Sequence, residues 1–191
     1  MAFWGENLSS GSRDPKRKFR FKVLFGGGEG ESANTVVWWA KSVDKPKMTV
    51  ESQEHKFMGH TFKYPGSVKW EDISLKLVDP IDPDTASQTL DILSQAGYVF
   101  PEEGYTGPNG FKTMSKAKAT NALGIFQIVQ LDAEGNTVET WELHNAFISS
   151  IQFSDLSYDS EELSEIDLTI MYDWAKFIEG SSDEYKFKFD S

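Results

Sequence analysis

The sequence contains no cysteine among its 191 residues. That excludes a disulfide framework and any thiolate metal site. No apolar run approaches the roughly 18 residues of a membrane-spanning helix, so no membrane partner is expected. The opening Met1-Ala2-Phe3-Trp4-Gly5-Glu6-Asn7 lacks the basic and apolar regions of a secretory leader. The expectation is a soluble protein made in a cytoplasm. Histidine is scarce: His55, His60 and His144. His55 and His60 miss the i, i+4 helical spacing of zinc hydrolases, and no glutamate lies between them. The acids Asp79, Asp82, Asp84 and Asp91 lack the glycine and the closing glutamate of a calcium loop. Gly26-Gly27-Gly28-Glu29-Gly30 lacks the Gly-Lys-Ser/Thr ending of a phosphate loop. A Gly-x-Ser-x-Gly nucleophile elbow is absent. No catalytic residue, cofactor or metal ligand is expected, and no enzyme class stands out.

What the chain does have is acid, aromatics and β-branched residues. Net charge is −11, and 14 % of residues are aromatic. The charge is uneven: residues 1–76 hold 13 basic and 9 acidic side chains, and residues 77–191 hold 6 and 21. An acidic chain of this kind is not a nucleic-acid clamp. A basic side and an acidic side suit head-to-tail stacking.

Residues 1–17 read as a polar arm, 18–176 as one β domain and 177–191 as a tail. The tail carries Tyr185, Phe187 and Phe189 in alternation with Lys186 and Lys188. Period-two patterns predict strands over 19–25, 35–43, 48–57, 61–64, 68–78, 123–131, 137–143, 147–158 and 163–174. One helix is predicted over about 83–96. Asp82 or Asp84 caps it, Ala86, Leu90, Leu93 and Ala96 form its stripe, and Gly97 stops it. Residues 98–120 read as one long loop, and Ala133-Glu134-Gly135-Asn136 as a hairpin turn. The predicted fold is mainly β: a small antiparallel barrel or sandwich with one flanking helix. Within 166–174, Ile166, Leu168, Ile170, Tyr172 and Trp174 form an apolar face expected to pack on the core.

Two segments carry a resemblance. His60 to Pro80, HTFKYPGSVKWEDISLKLVDP, sets a Tyr-Pro-Gly turn before an alternating strand that ends in Asp-Pro. Trp141 to Ala175, WELHNAFISSIQFSDLSYDSEELSEIDLTIMYDWA, sets two strands around an acidic turn. Together with DPKRKFRFKV and WWAKSVDKP, they resemble the tail tube protein of T-even-type contractile-tailed bacteriophages, nearest to relatives that infect cyanobacteria. The resemblance covers roughly residues 14–176.

That resemblance implies a structural virion protein made in the host bacterial cytoplasm. In such families hexameric rings stack into the hollow inner tube of a contractile tail. Partners implied are further copies of the chain, the sheath protein, baseplate tube-initiating proteins, the tape-measure protein and the tail terminator. Double-stranded DNA passes through without sequence-specific binding. Glu165, Asp167, Thr169, Asp173, Lys69, Glu71, Ser74 and Lys76 are the candidate lumen-facing or inter-subunit residues. An acidic lumen would repel DNA phosphates, although Lys69 and Lys76 interrupt it. Lys112, Lys116 and Lys118 are candidates to meet Asp159, Glu161 and Glu162 of the next ring. Alternatives are a baseplate initiator or cap, the tube of a phage-derived injection system, or a monomeric β-sandwich carbohydrate-binding module using Trp38, Trp39 or Trp70.

Overall fold

The computed structural model describes residues 15–25, 35–37, 39–82, 84–99, 113–159 and 161–180. The arm up to residue 14, the glycine turn 26–30, Trp38, Pro83, Lys112 with most of the long loop, and the aromatic tail lie outside the described residues.

Eleven strands and two helices are described. β1 (Phe21–Phe25), β2 (Thr35–Val37), β7 (Phe126–Leu131), β8 (Thr137–His144) and β11 (Trp174–Glu179) form an outer sheet in the order β11-β8-β7-β1-β2. β3 (Ala40–Val43), β6 (Ile73–Val78), β10 (Glu165–Met171) and β9 (Phe147–Phe153) form an inner sheet in the order β3-β6-β10-β9. All pairings are antiparallel, and neither sheet closes on itself. Among the described residues, β4 (Lys47–Phe57) and β5 (His60–Glu71) pair only with each other.

The core lies between the sheets because alternate residues of β6 and β10 are apolar and share a face. Ile73, Leu75 and Leu77 meet Ile166, Leu168 and Ile170 across the inner sheet, and Val23, Phe126, Ile128 and Leu143 close over them from the outer one. All ten are buried.

Helix α1 (Thr85–Gln95) starts where Asp84 accepts a hydrogen bond from the Ser87 amide at 3.2 Å. It ends before Gly97, whose φ of 102° favours glycine. Its most buried side chains are Thr85, Thr89 and the capping Ala96, with Ala86, Leu90 and Leu93 half-buried.

Four expectations are corrected. A second helix, α2 (Lys116–Leu123), stands where the loop was read to continue to residue 120. Ser115 caps it by accepting from the Lys118 amide, and Ala119 and Leu123 bury its short stripe. The run from 163 to 174 is not one strand. β10 stops at Met171, and Trp174 opens β11 in the other sheet, opposite His144. Trp174 is therefore partly exposed and stacks on the His144 ring at 3.8 Å. The strand read from 147 to 158 ends at Phe153, since the sequence beyond it is polar and acidic. Finally, Tyr64-Pro65-Gly66 is no turn: β5 continues through it, with a register shift against β4 between Pro65 and Val68.

Leu168 is 2 % exposed in the middle of β10, so its truncation leaves a cavity. Leu168→Ala is expected to cost about 2–5 kcal/mol in urea unfolding. A loss under about 1 kcal/mol would show that the two sheets are not packed as described.

Candidate assembly surfaces

The side of the inner sheet away from the core is polar. Glu165, Asp167 and Thr169 of β10 share it with Ser74 and Lys76 of β6, because Asp167 pairs with Lys76 and Thr169 with Ser74 in register. Gln152 and Ser150 of β9 continue it. The charges on this face are matched. Lys76 donates to Asp167 at 2.9 Å, and Lys41 donates to Glu165. The Asp167 carboxylate raises the Lys76 ammonium above its usual pKa. Lys69 and Glu71 sit farther along, on the β4–β5 hairpin, where Glu71 accepts from Lys47 and from the Thr49 hydroxyl, both at 2.6 Å. Those two donors hold the Glu71 carboxyl below the ordinary range. Asp173 stands apart, beyond the end of β10. It accepts from Lys116 and from the Asn145 amide, which lower its pKa and tie α2 to that end of the sheet.

The sheet therefore has two unlike ends. Register places Ile73 opposite Ile170 at one end and Val78 opposite Glu165 at the other. The hairpin leaves from the Ile73 end, with only Asp72 between β5 and β6. Lys116 and Lys118 are also at that end, Lys116 through its bond to Asp173. The acidic loop joining β9 to β10 occupies the Val78 end. Asp159, Glu161 and Glu162 lie there, exposed, with Leu156 and Leu163. A groove of about 930 Å³ runs beneath this loop, walled by Asp155, Glu161, Glu162, Phe153 and Leu163. Sequence-predicted cations and acids thus fall at opposite ends of one sheet, and the structure does not bring them together within one chain.

The hairpin root is held by a buried carboxylate that sequence reading missed. Glu139 of β8 is 6 % exposed and accepts from both Lys16 and Lys45, while Lys45 also donates to Gln130. Burial alone would raise the Glu139 carboxyl, but the two lysines outweigh it and hold it below the usual range. Its only sequence signal is an acid at a core-facing position of a predicted strand. Trp70 is half-buried and packs on Tyr172 with ring centroids 6.0 Å apart.

Trp39 is partly exposed; Trp38 lies outside the described residues. His55 and His60 share one face of the hairpin, opposite Phe62 and Phe57.

No protein-family model and no curated protein matches the sequence. Solved structures do match the fold. A chain of the anti-feeding prophage baseplate superposes with a TM-score of 0.64 at 15 % identity, covering 88 % of this chain and 98 % of that one. A chain from the sheath/tube terminator of PVC, an extracellular contractile injection system, gives 0.63 at 17 % identity, over 88 % and 99 %. The SPP1 tail tube gives 0.52 at 14 % identity, over 88 % and 81 %. The fold is the tail-tube type.

A carboxylate with a depressed folded pKa contributes stability above its unfolded pKa and loses it as pH falls through the folded one. The wild type should therefore lose stability as pH falls below the ordinary glutamate pKa of about 4.3, because Glu139 is held lower than that in the folded protein. Glu139→Gln should lower stability by roughly 1–3 kcal/mol at pH 7 and flatten that acid decline. Urea unfolding of both proteins between about pH 3 and 7 is the measurement. Parallel stability–pH curves would remove Glu139 from the clamp.

Proposed function

We propose that this chain is a structural subunit that forms rings, and that the rings stack into the hollow inner tube of a contractile tail. The observation that carries the reading is the inner sheet itself. Among the described residues its edges β3 and β9 each pair on one side only, and its two ends differ in shape and charge. An unpaired edge is a template for another strand. Closing β9 of one copy on β3 of the next would join the sheets into one barrel without edges. The polar face of that barrel would line a channel, with Glu165, Asp167, Thr169, Ser74 and Lys76 toward it.

In this arrangement the channel wall is balanced rather than acidic, since Lys41 and Lys76 offset Glu165 and Asp167. Such a wall offers the phosphate backbone of DNA no net cationic surface to bind. A contact between unlike ends is heterologous and does not close, so it generates a filament. The hairpin end of one ring, with Lys118, would face the acidic loop of the next, with Asp159, Glu161 and Glu162.

Superposable chains from an injection-system baseplate, a sheath/tube terminator and a phage tail tube support the tube class of function. They leave room for the second reading, a tube cap or baseplate initiator, because those proteins share the fold. The finer assignment to T-even-type phages near cyanobacteria-infecting relatives rests on the segments 60–80 and 141–175. Sheath, tape-measure, initiator and terminator partners, six-fold symmetry and a virion location go with that assignment.

Negative-stain electron microscopy across a concentration series is the test. Hollow tubes of uniform width are the expected outcome. Discrete rings that never extend would favour the cap or initiator. A monomer that binds glycans would replace the tube with a carbohydrate-binding module.

A further inference from the structure

The body of the β4–β5 hairpin cannot fix its own direction. All of β4 and the part of β5 up to Lys69 are exposed, and only Trp70 and Glu71 at the root are half-buried. Direction is therefore set at the root. One tie there is Trp70 on Tyr172. The other is Lys45, in the short link between β3 and β4. Lys45 precedes Pro46, which confines its backbone to extended conformations. On its other side the Asp44 amide donates to the Ser74 carbonyl at 3.0 Å. The link has little slack, so holding the Lys45 side chain holds the start of β4.

Two buried side chains hold Lys45, and each also holds a second segment. Gln130 of β7 and Glu139 of β8 are register partners, each 6 % exposed. Glu139 accepts from Lys45 at Oε1 and from Lys16 at Oε2. Gln130 accepts from Lys45 at Oε1 and donates from Nε2 to the Arg17 carbonyl at 3.0 Å. The Arg17 carbonyl also accepts from the Arg20 amide, which closes a turn. The Arg20 carbonyl accepts from the Leu131 amide at 2.9 Å. Residues 16–20 are thus a strap across the end of β7, and two bridges run from it to Lys45. Among the described residues Lys16 is bonded to Glu139 and to no residue of the hairpin or its root.

Two bonds to one carboxylate are not independent. With both oxygens engaged the plane of the group is fixed, so each lysine meets an acceptor already aimed at it. With one lysine gone, the carboxylate can turn and the other lysine loses a fixed anchor. The Gln130 amide is oriented in the same way, by the strap at one end and Lys45 at the other.

We propose that Gln130 and Glu139 form a relay that passes the position of the strap to the direction of the hairpin. Lys16 is then a positioning residue for a hairpin it does not touch. Whatever displaces the strap loosens the hairpin, and whatever holds the strap aims it. The hairpin magnifies the effect: from Lys47 to Lys56 is about 30 Å at ~3.3 Å per residue, so a swing of roughly 10° moves that point by about 5 Å. The relay belongs to the single chain and stands apart from the assembly reading.

The absence of cysteine permits a direct test. Cysteines placed by Lys56→Cys near the tip and Glu134→Cys in the β7–β8 turn, both exposed, carry spin labels. Pulsed electron paramagnetic resonance reads the distance between them, with labelled chains diluted in unlabelled protein so that only distances within one chain count. Lys16→Met and Lys45→Met remove each charge and keep the stem; both side chains are about half exposed, so circular dichroism should not change. Lys45→Met should broaden the distance distribution by several ångström. Lys16→Met should broaden it too, and the double variant should be no broader than Lys45→Met alone, because Lys45 is the last link. A Lys16→Met distribution of wild-type width would overturn the relay even if that variant were less stable, since a mere staple loses stability without moving the hairpin. Additive broadening in the double variant would also overturn it, by making the two lysines separate ties.

Discussion

The pairing of β6 with β10 is the interaction on which the rest of the molecule depends. Six register pairs, from Ile73↔Ile170 to Val78↔Glu165, set one face of the inner sheet against the outer sheet and the other face to solvent. The same register sets the two ends. It sends the hairpin out beyond Ile73 and leaves the acidic loop beyond Val78. A slip of β10 by one residue against β6 would turn Ile166 and Leu168 outward and bury Asp167. Directionality along the sheet is thus a consequence of core packing and needs no separate device.

Electrostatics divides the molecule in a complementary way. Charges are matched between paired strands in Lys76–Asp167, Lys47–Glu71 and Lys63–Glu54, and from β3 to β10 in Lys41–Glu165. These partly exposed pairs add little stability individually. They do keep the sheet and hairpin close to neutral. The acid that gives the chain its net charge is concentrated elsewhere, notably in the loop around Asp155, Asp159, Glu161 and Glu162. Glu139 is different in kind. It is buried, and its two lysines come from the arm and the hairpin root, so one carboxylate ties three distant parts of the chain together.

Much of this was legible in the sequence where the signal was periodic. Ile73, Leu75 and Leu77 and the alternation from Ile166 to Ile170 announced the inner sheet. Asp84 and Gly97 bracketed α1, and Asp132 to Asn136 closes as the turn its composition indicated, with the Asp132 carboxylate accepting from the Glu134 and Asn136 amides. Helix α2 was missed because Lys116-Ala-Lys-Ala-Thr-Asn-Ala-Leu has a weak apolar stripe, though Ser115 and Gly124 flank it as caps. The Tyr172-Asp173-Trp174 break was hidden because alternation continues across it; only pairing partners separate the strands. Pro65-Gly66 was read as a turn from local propensity, and long-range pairing with β4 overrides that preference. Which acids and lysines share a face followed from parity, but Lys116–Asp173 and the Glu139 clamp join residues far apart in the chain and have no local signature.

The two open edges of the inner sheet are irregular. β3 has only four residues, and its register shifts between Ala40 and Ser42, at Lys41; β9 carries a shift opposite Thr169 and Ile170. A flat edge accepts almost any extended chain, whereas a kinked one accepts a strand only after its own irregularity has been matched. Chance zippering is thereby slowed without any change in the stability of the matched contact. In the assembly proposed above, a new contact would therefore form faster on a complementary edge already held in position than between two free copies.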